Sequence, residues 1–303
     1  MKIAKNNLIY HLMMIGVVFF WGMNWSLMKI CVQAMPPLVA LSWRFLIASF
    51  VLLLWIGYKQ GFSVLRQITL KQWGGLTIAA LFGIFGSTFF LMIALKWVTA
   101  SKAATVPALN PILPTLLGAL FFNEKLNWRI IIGMLLSLCG GLIAIAHGNP
   151  LSVFSGNVGI GEYCLLLGLG CWSAYTLVGR VLLNGISPLV ATFTTSFLGG
   201  LMLILAGLWW DGSQSFIDSF NASTQVWLCL ITMAIGATVL AYLWFFDGVQ
   251  HLGVGASSAY FVLIPIVGIA ISIIYLGESL HSSLIFGGGL AIIGMLIMHK
   301  ARH

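Results

Sequence analysis

The chain has 303 residues, of which 60% are hydrophobic and only 7% are charged, with a mean hydropathy of +1.06. Soluble domains are about one quarter charged, so this composition excludes a cytosolic globular enzyme, a disordered protein and a secreted scaffold. The net charge of +8, from 14 basic and 6 acidic residues, would suggest nucleic acid only in a soluble protein; here it must be apportioned between two membrane faces, with no nucleic-acid partner implied.

A helix that crosses a bilayer takes about 20 apolar residues, and apolar runs separated by polar, Pro or Gly punctuation predict ten. They fall near 9–30, 38–58, 73–95, 101–122, 128–147, 160–183, 188–209, 226–249, 255–275 and 283–299. The runs are unbroken, which predicts helices and not the alternating pattern of barrel strands. Lys2 and Lys5 precede the first run, but it continues to about Ile30 without a small-x-small cleavage site and reads as an uncleaved span. The longest connections, 151–159 and 211–225, leave no room for a soluble domain. Cys31, Cys139, Cys164, Cys171 and Cys229 form no CxxC pair and read as small hydrophobes.

Ten spans put both termini on one face. That face then holds Lys2, Lys5, Lys59, Arg66, Lys71, Lys125, Arg129, Arg180, Lys300 and Arg302, against Lys29, Arg44, Lys96 and Lys102 on the other. Cytoplasmic loops retain Lys and Arg, so the termini are expected in the cytoplasm.

The chain also repeats itself. Pro37-Leu38-Val39-Ala40 recurs as Pro188-Leu189-Val190-Ala191, an offset of 151 that places Trp21 on Trp172 and Lys29 on Arg180. A shift of 154 carries Trp73 onto Trp227, Pro111 onto Pro265, Glu124 onto Glu278, Gly133 onto Gly287 and Gly140 onto Gly294. The halves are 1–150 and 151–303, with five spans each. Five is odd, so the second half enters the membrane upside down. Inverted repeats are a recurring basis for alternating access, in which two halves exchange conformations around one site; the alternative is that the duplication only builds a stable bundle.

At these residues the chain resembles the drug/metabolite transporter superfamily, in its EamA-type ten-helix branch. The resemblance rests on Trp21-Gly22-x-Asn24-Trp25…Lys29, Arg44-Phe45, the segment 100–111 and the Asn123-Glu124-Lys125 turn, echoed by 256–265 and Gly277-Glu278. It implies an all-α membrane protein, ten helices in two inverted five-helix repeats around a central cavity lined by spans 3, 4, 8 and 9, with 1 and 6. It further implies a secondary transporter of the bacterial inner membrane exporting amino acids or related small metabolites, with the lipid bilayer and a small solute as partners. No cofactor or metal is implied, and the protein is a monomer or a homodimer.

Several residues are candidates for contact with the solute. Arg44 lies deep in span 2, where charge is costly and faces the interior or water; it either meets substrate or satisfies carbonyls or an acid. Lys102, one turn into span 4, either holds a substrate carboxylate or phosphate or snorkels to the interface. Asn110 offers a donor and an acceptor. Pro111 and Pro265 are expected to interrupt helices 4 and 9 and to act as gate elements, or simply to distort them. Asn24, Trp25, Phe85, Phe89, Trp172, Tyr175, Trp244 and Tyr260 are the candidate polar and aromatic lining. Asp247 and His251, one turn apart, form either a titratable pair for proton coupling or a plain interfacial hydrogen bond. Glu124, Glu278 and Glu162 are expected to complement the N-termini of helices 5, 10 and 6. Gly133, Gly140, Gly287 and Gly294 permit close helix packing, within the chain or between subunits.

Other classes fit less well. The sequence contains no GxxxxGK[ST] for a primary pump and no HExxH or clustered acids for an embedded enzyme. A channel would need a ring of like charges. A flippase of amphipathic or lipid-like solutes is the main alternative, because an aromatic cavity suits them.

Overall fold

The computed structural model describes residues 2–110, 112, 116, 127–145, 159–182, 185–252, 257 and 260–301. Among them every regular element is helical: α1 (Lys2–Ala34), α2 (Pro37–Lys59), α3 (Leu70–Ala94), α4 (Ala100–Ala103), α5 (Trp128–Ile145), α6 (Ile160–Leu182), α7 (Pro188–Trp210), α8 (Thr224–Leu252), α9 (Leu263–Leu276) and α10 (Ser282–Ala301). Five of these, α1 from Leu8 onward, α2, α3, α7 and α8, are long and apolar enough to cross a membrane. Large apolar side chains such as Phe50, Leu205, Trp209, Ile274 and Phe286 point outward, while Met14, Leu52, Leu76, Met92, Leu165 and Leu203 are sealed inside. That distribution suits a bundle whose solvent is hydrocarbon.

Local signals set the helix boundaries. Pro37 and Pro188 occupy the first turns of α2 and α7, where a missing N–H costs nothing. Thr69 and Gln72 form a reciprocal capping box that starts α3. Gly277 ends α9 in the left-handed region at φ 64°, with its N–H on the Ile273 carbonyl.

Contacts between helix ends define two ends of the bundle. At the terminal end, where α1 begins, Tyr10 stacks on His251 at 3.9 Å and His11 Nδ1 hydrogen-bonds the Tyr260 hydroxyl at 2.7 Å. At the far end, Lys29 Nζ donates to the carbonyls of Leu95 and Val98, the latter at 2.8 Å, and Trp43 Nε1 donates to Ser219 Oγ at 2.9 Å.

Two helix pairs make the closest approaches. A Cβ on Gly140 would strike the backbone of Gly287 and Ala291, and one on Gly294 the backbone of Gly133 and Ser137, so α5 and α10 run antiparallel with main chains in contact. The glycines are thus used within the chain. Helices α2 and α7 are also antiparallel, since Gly200 meets Phe45 and Gly207 meets Leu38.

Helices α3 and α8 each contain a π-helical segment, Ala80–Gly86 and Met233–Leu240. The shift of 154 carries 80–86 onto 234–240, so both halves are widened at the same register. A π segment misaligns carbonyls that then need other donors. Trp21 Nε1 donates to the Ala237 carbonyl at 3.0 Å, and the Ser87 and Thr88 hydroxyls donate to Gly83 and Ile84.

The described part of the 101–122 run opens with the short α4 and a 3-10 turn, Val106–Leu109, with Pro107 in its first turn, and is helical again at Ile112 and Leu116; Pro111 and most of the remainder lie outside the described residues. Two expectations change. Helix α9 starts at Leu263 after a 3-10 turn at Tyr260–Val262, so Pro265 sits in a first turn, where no intrahelical bond is broken. The 211–225 connection folds into a helix, Gly212–Asp218, and a 3-10 turn, Ser219–Asn221.

Gly140→Ala is expected to destabilise the protein by roughly 1–3 kcal/mol, because the rigid main chain opposite cannot yield. Gly74→Ala, where the added Cβ meets nothing within 4 Å, is expected to be neutral or slightly stabilising. Thermal unfolding of the two purified variants in detergent checks the contrast in sign.

Candidate functional site

Arg44 stands in the second turn of α2, about 10 Å down the helix from Pro37 at 1.5 Å per residue. It is 6% exposed. Its Nε and Nη2 donate to the Thr238 hydroxyl at 3.3 and 3.2 Å, and its guanidinium lies 5.1 Å from the Phe45 ring centre. Thr238 belongs to the π segment of α8 and in turn donates to the Met233 carbonyl at 3.2 Å. Tyr242, one turn further along α8, lies within electrostatic reach of Arg44 and of Tyr175 on α6. Tyr175 faces Thr195 on α7, the repeat counterpart of Arg44, whose hydroxyl donates to the Ala191 carbonyl at 2.8 Å. Cys31 and Cys229, both free and buried, meet beside the arginine. The result is a buried polar cluster drawn from α2, α6, α7 and α8, walled by Trp21, whose ring centre is 5.5 Å from that of Tyr242.

Arg44 differs from the other cations of the far half. Lys102 Nζ contacts Glu162 Oε1 at 2.6 Å, and both residues are buried. Glu278 lies within electrostatic reach of Lys29, and Asp211 of Lys96. Among the described residues no acid faces Arg44. A buried charge normally has a paired opposite charge. A guanidinium bonded to a threonine hydroxyl and flanked by an aromatic ring can still take a planar anion such as a carboxylate.

The remaining candidates separate into those near this cluster and those elsewhere. Tyr175 joins it, with Trp172 beside it at a ring distance of 5.3 Å. Asn24 donates Nδ2 to Met28 Sδ at 3.2 Å, while its Oδ1 is buried with no partner among the described residues. Trp25 is buried in the core against Gly268, and Phe85 and Phe89 stack with centres 6.0 Å apart. Trp244 packs over Gly16 and Phe20, and Tyr260 is engaged by His11 at the terminal end. Asn110 caps the Val106–Leu109 turn through its main chain.

Three assignments need correction. Lys102 does not snorkel, since its ammonium is held inside by Glu162. The Asp247 carboxylate and the His251 imidazole do not pair: His251 Nδ1 donates to the Asp247 main-chain carbonyl at 2.9 Å and its ring stacks on Tyr10, while Asp247 is exposed. At this helix spacing the carbonyl one turn back is the nearer acceptor. Glu278 accepts from the Ala100 N–H at 2.7 Å, the Ser101 N–H at 2.8 Å and the Ser101 hydroxyl, so it caps α4 and not α10. The left-handed turn at Gly277 aims it there. Glu124 lies outside the described residues.

Thr238 and Tyr242 escape sequence reasoning because they sit inside an unbroken apolar run. The available signal is their i, i+4 spacing, which puts both polar groups on one face.

These features define a multi-pass integral membrane protein with a polar, cation-bearing interior. The chain belongs to the EamA-like transporter family, whose model matches residues 8–146 and again 159–299, and with it to the drug/metabolite transporter superfamily. A Bacillus subtilis protein named as the uncharacterized transporter YyaM is 26% identical over 288 residues, covering 94% of this chain and 92% of that one. A Salmonella typhimurium protein named as a probable amino-acid metabolite efflux pump is 26% identical over 293 residues, covering 93% and 91%. One crystal structure superimposes with a TM-score of 0.68 over 95% of this chain and 96% of the other at 21% identity, which shows the shared fold alone.

Thr238→Val removes the arginine's hydroxyl acceptor at nearly constant volume. A hydrogen bond to a charged group contributes about 1.5–3 kcal/mol, so the variant is expected to unfold at lower temperature in detergent while Thr238→Ser stays near the parent.

Proposed function

We propose that the protein is a secondary transporter that works by alternating access and exports amino acids or related small metabolites. The observation that carries this reading is Arg44, a buried cation that no acid among the described residues faces, bonded to the Thr238 hydroxyl with Tyr242 within electrostatic reach, where both halves of the chain meet. Such a group binds the carboxylate of a solute, which supplies the counter-charge that the described residues do not. Aromatic walls at Trp21 and Trp172 suit the apolar side of an amino acid. The name carried by the Salmonella relative points the same way.

Alternating access needs two halves of opposite orientation and a closure at each end. The inverted reading is supported by contacts that survive exchange of the halves: α2 packs on α7, α5 on α10, and α3 packs on α6 as α8 packs on α1. Opposed directions within the α2–α7 and α5–α10 pairs support it too. The division near residue 150 agrees with a family model that matches once on either side of it. With ten spans, the terminal end faces the cytoplasm, as the Lys59, Arg66, Lys71, Arg129 and Lys300 charges favour. His11–Tyr260 and Tyr10–His251 then close the cytoplasmic end, and the polar contacts around Glu278 close the outer one.

Counterflow in proteoliposomes, with an amino-acid panel beside fluorescent lipids, tests the reading. Saturable amino-acid exchange is expected, and Arg44→Gln should lower it at least tenfold while the purified variant keeps its elution profile. Lipid movement without amino-acid exchange would assign the protein to flippases instead.

A further inference from the structure

At the far end, away from Arg44, the structure holds a partly open chamber of about 100 Å³ with mixed polar and apolar walls. Its walls come from both halves: Thr99, Ser101 and Lys102 from the start of α4, Glu162 from the first turn of α6, His281 from the connection into α10 and Ser283 from the first turn of α10. The Lys102–Glu162 contact, at 2.6 Å, crosses from one half to the other. Lys102 and Glu162 are 6% and 9% exposed. The chamber therefore closes the far end with an ion pair that must be parted when the halves separate there.

Parting a buried pair is costly, because each charge is left in a poorly solvated site. A solute that carries both signs removes that cost. Its carboxylate takes the place of Glu162 against the Lys102 ammonium, and its ammonium takes the place of Lys102 against the Glu162 carboxylate. No proton moves and no bond is made; two ion pairs replace one ion pair and one solvated zwitterion. A solute with a carboxylate alone meets Lys102 and parts it from Glu162 with no ammonium to take its place. The Glu278 cap on Ala100 and Ser101 holds the start of α4, so Lys102 is presented to the chamber from a fixed turn.

We propose that the chamber between Lys102 and Glu162 is a second solute site, specific for a zwitterionic head group, which the solute occupies by exchanging partners with the ion pair on its way through the far end. This rests on the transporter reading above. It adds that selectivity for the ammonium group resides here, whereas Arg44 attends to the carboxylate.

The test uses the full-length protein in proteoliposomes that exchange a labelled mixture of neutral amino acids, with alanine and propionate as unlabelled competitors. Both competitors carry the carboxylate that Arg44 meets, and only alanine carries an ammonium for Glu162. Alanine is expected to compete at least tenfold better than propionate in the parent protein. In the double variant Lys102→Met with Glu162→Gln that ratio is expected to fall to near one. The charge-swapped pair, Lys102→Glu with Glu162→Lys, offers both signs again and is expected to keep the ratio; it provides the reading if the neutral variant does not fold. Propionate competing as well as alanine in the parent protein, or an unchanged ratio in the neutral variant, overturns the proposal while export stands. Absence of exchange of every amino acid by the parent protein overturns the export reading itself, and this proposal with it.

Discussion

A polar group inside hydrocarbon has to be answered by the protein, because no water is at hand to answer it. The arrangement of this bundle follows from that constraint. Lys29 is satisfied by the carbonyls of Leu95 and Val98 just past the end of α3, Lys102 by Glu162, and the first N–H groups of α4 by Glu278. Where α8 widens, the indole of Trp21 takes the Ala237 carbonyl, and where α3 widens, hydroxyls of Ser87 and Thr88 do the same service. Among these charged groups Arg44 stands out. Its acceptor is a single threonine hydroxyl, and the counter-charge it calls for is not supplied by the described residues.

The same constraint separates parts that hold from parts that yield. The α5–α10 and α2–α7 contacts are built on glycines, with main chain or Cβ atoms facing across each seam. Contacts of that kind are made of dispersion over closely matched surfaces and do not tolerate sliding. At the two ends of the bundle the links are of another kind: a histidine on a tyrosine hydroxyl at one end, an ion pair and a carboxylate cap at the other. Each link of that kind can be exchanged for one to water without disturbing its neighbours.

Much of this architecture is legible in the sequence, and the reasons are physical. Long apolar runs reveal spans because hydrocarbon tolerates little else, and the shared Trp, Pro and Gly register reveals the duplication that the double family match reproduces. Arg44 is conspicuous because charge at depth is rare. What lies across the fold leaves no such trace. Glu162 is 60 residues from Lys102 and Glu278 is 178 from Ala100, and nothing local marks either partnership. The Asp247–His251 spacing predicts a side-chain pair, yet the nearer carbonyl wins. Pro265 has the look of an interruption only until the start of its helix is known.

The π segments of α3 and α8 fall at the same register of the two stretches that one family model matches. The loosened carbonyls are quieted differently in the two, by an indole from α1 in one and by the helix's own hydroxyls in the other. Two stretches with one widened helix each therefore carry unlike interiors, with arginine on one side and threonine on the other.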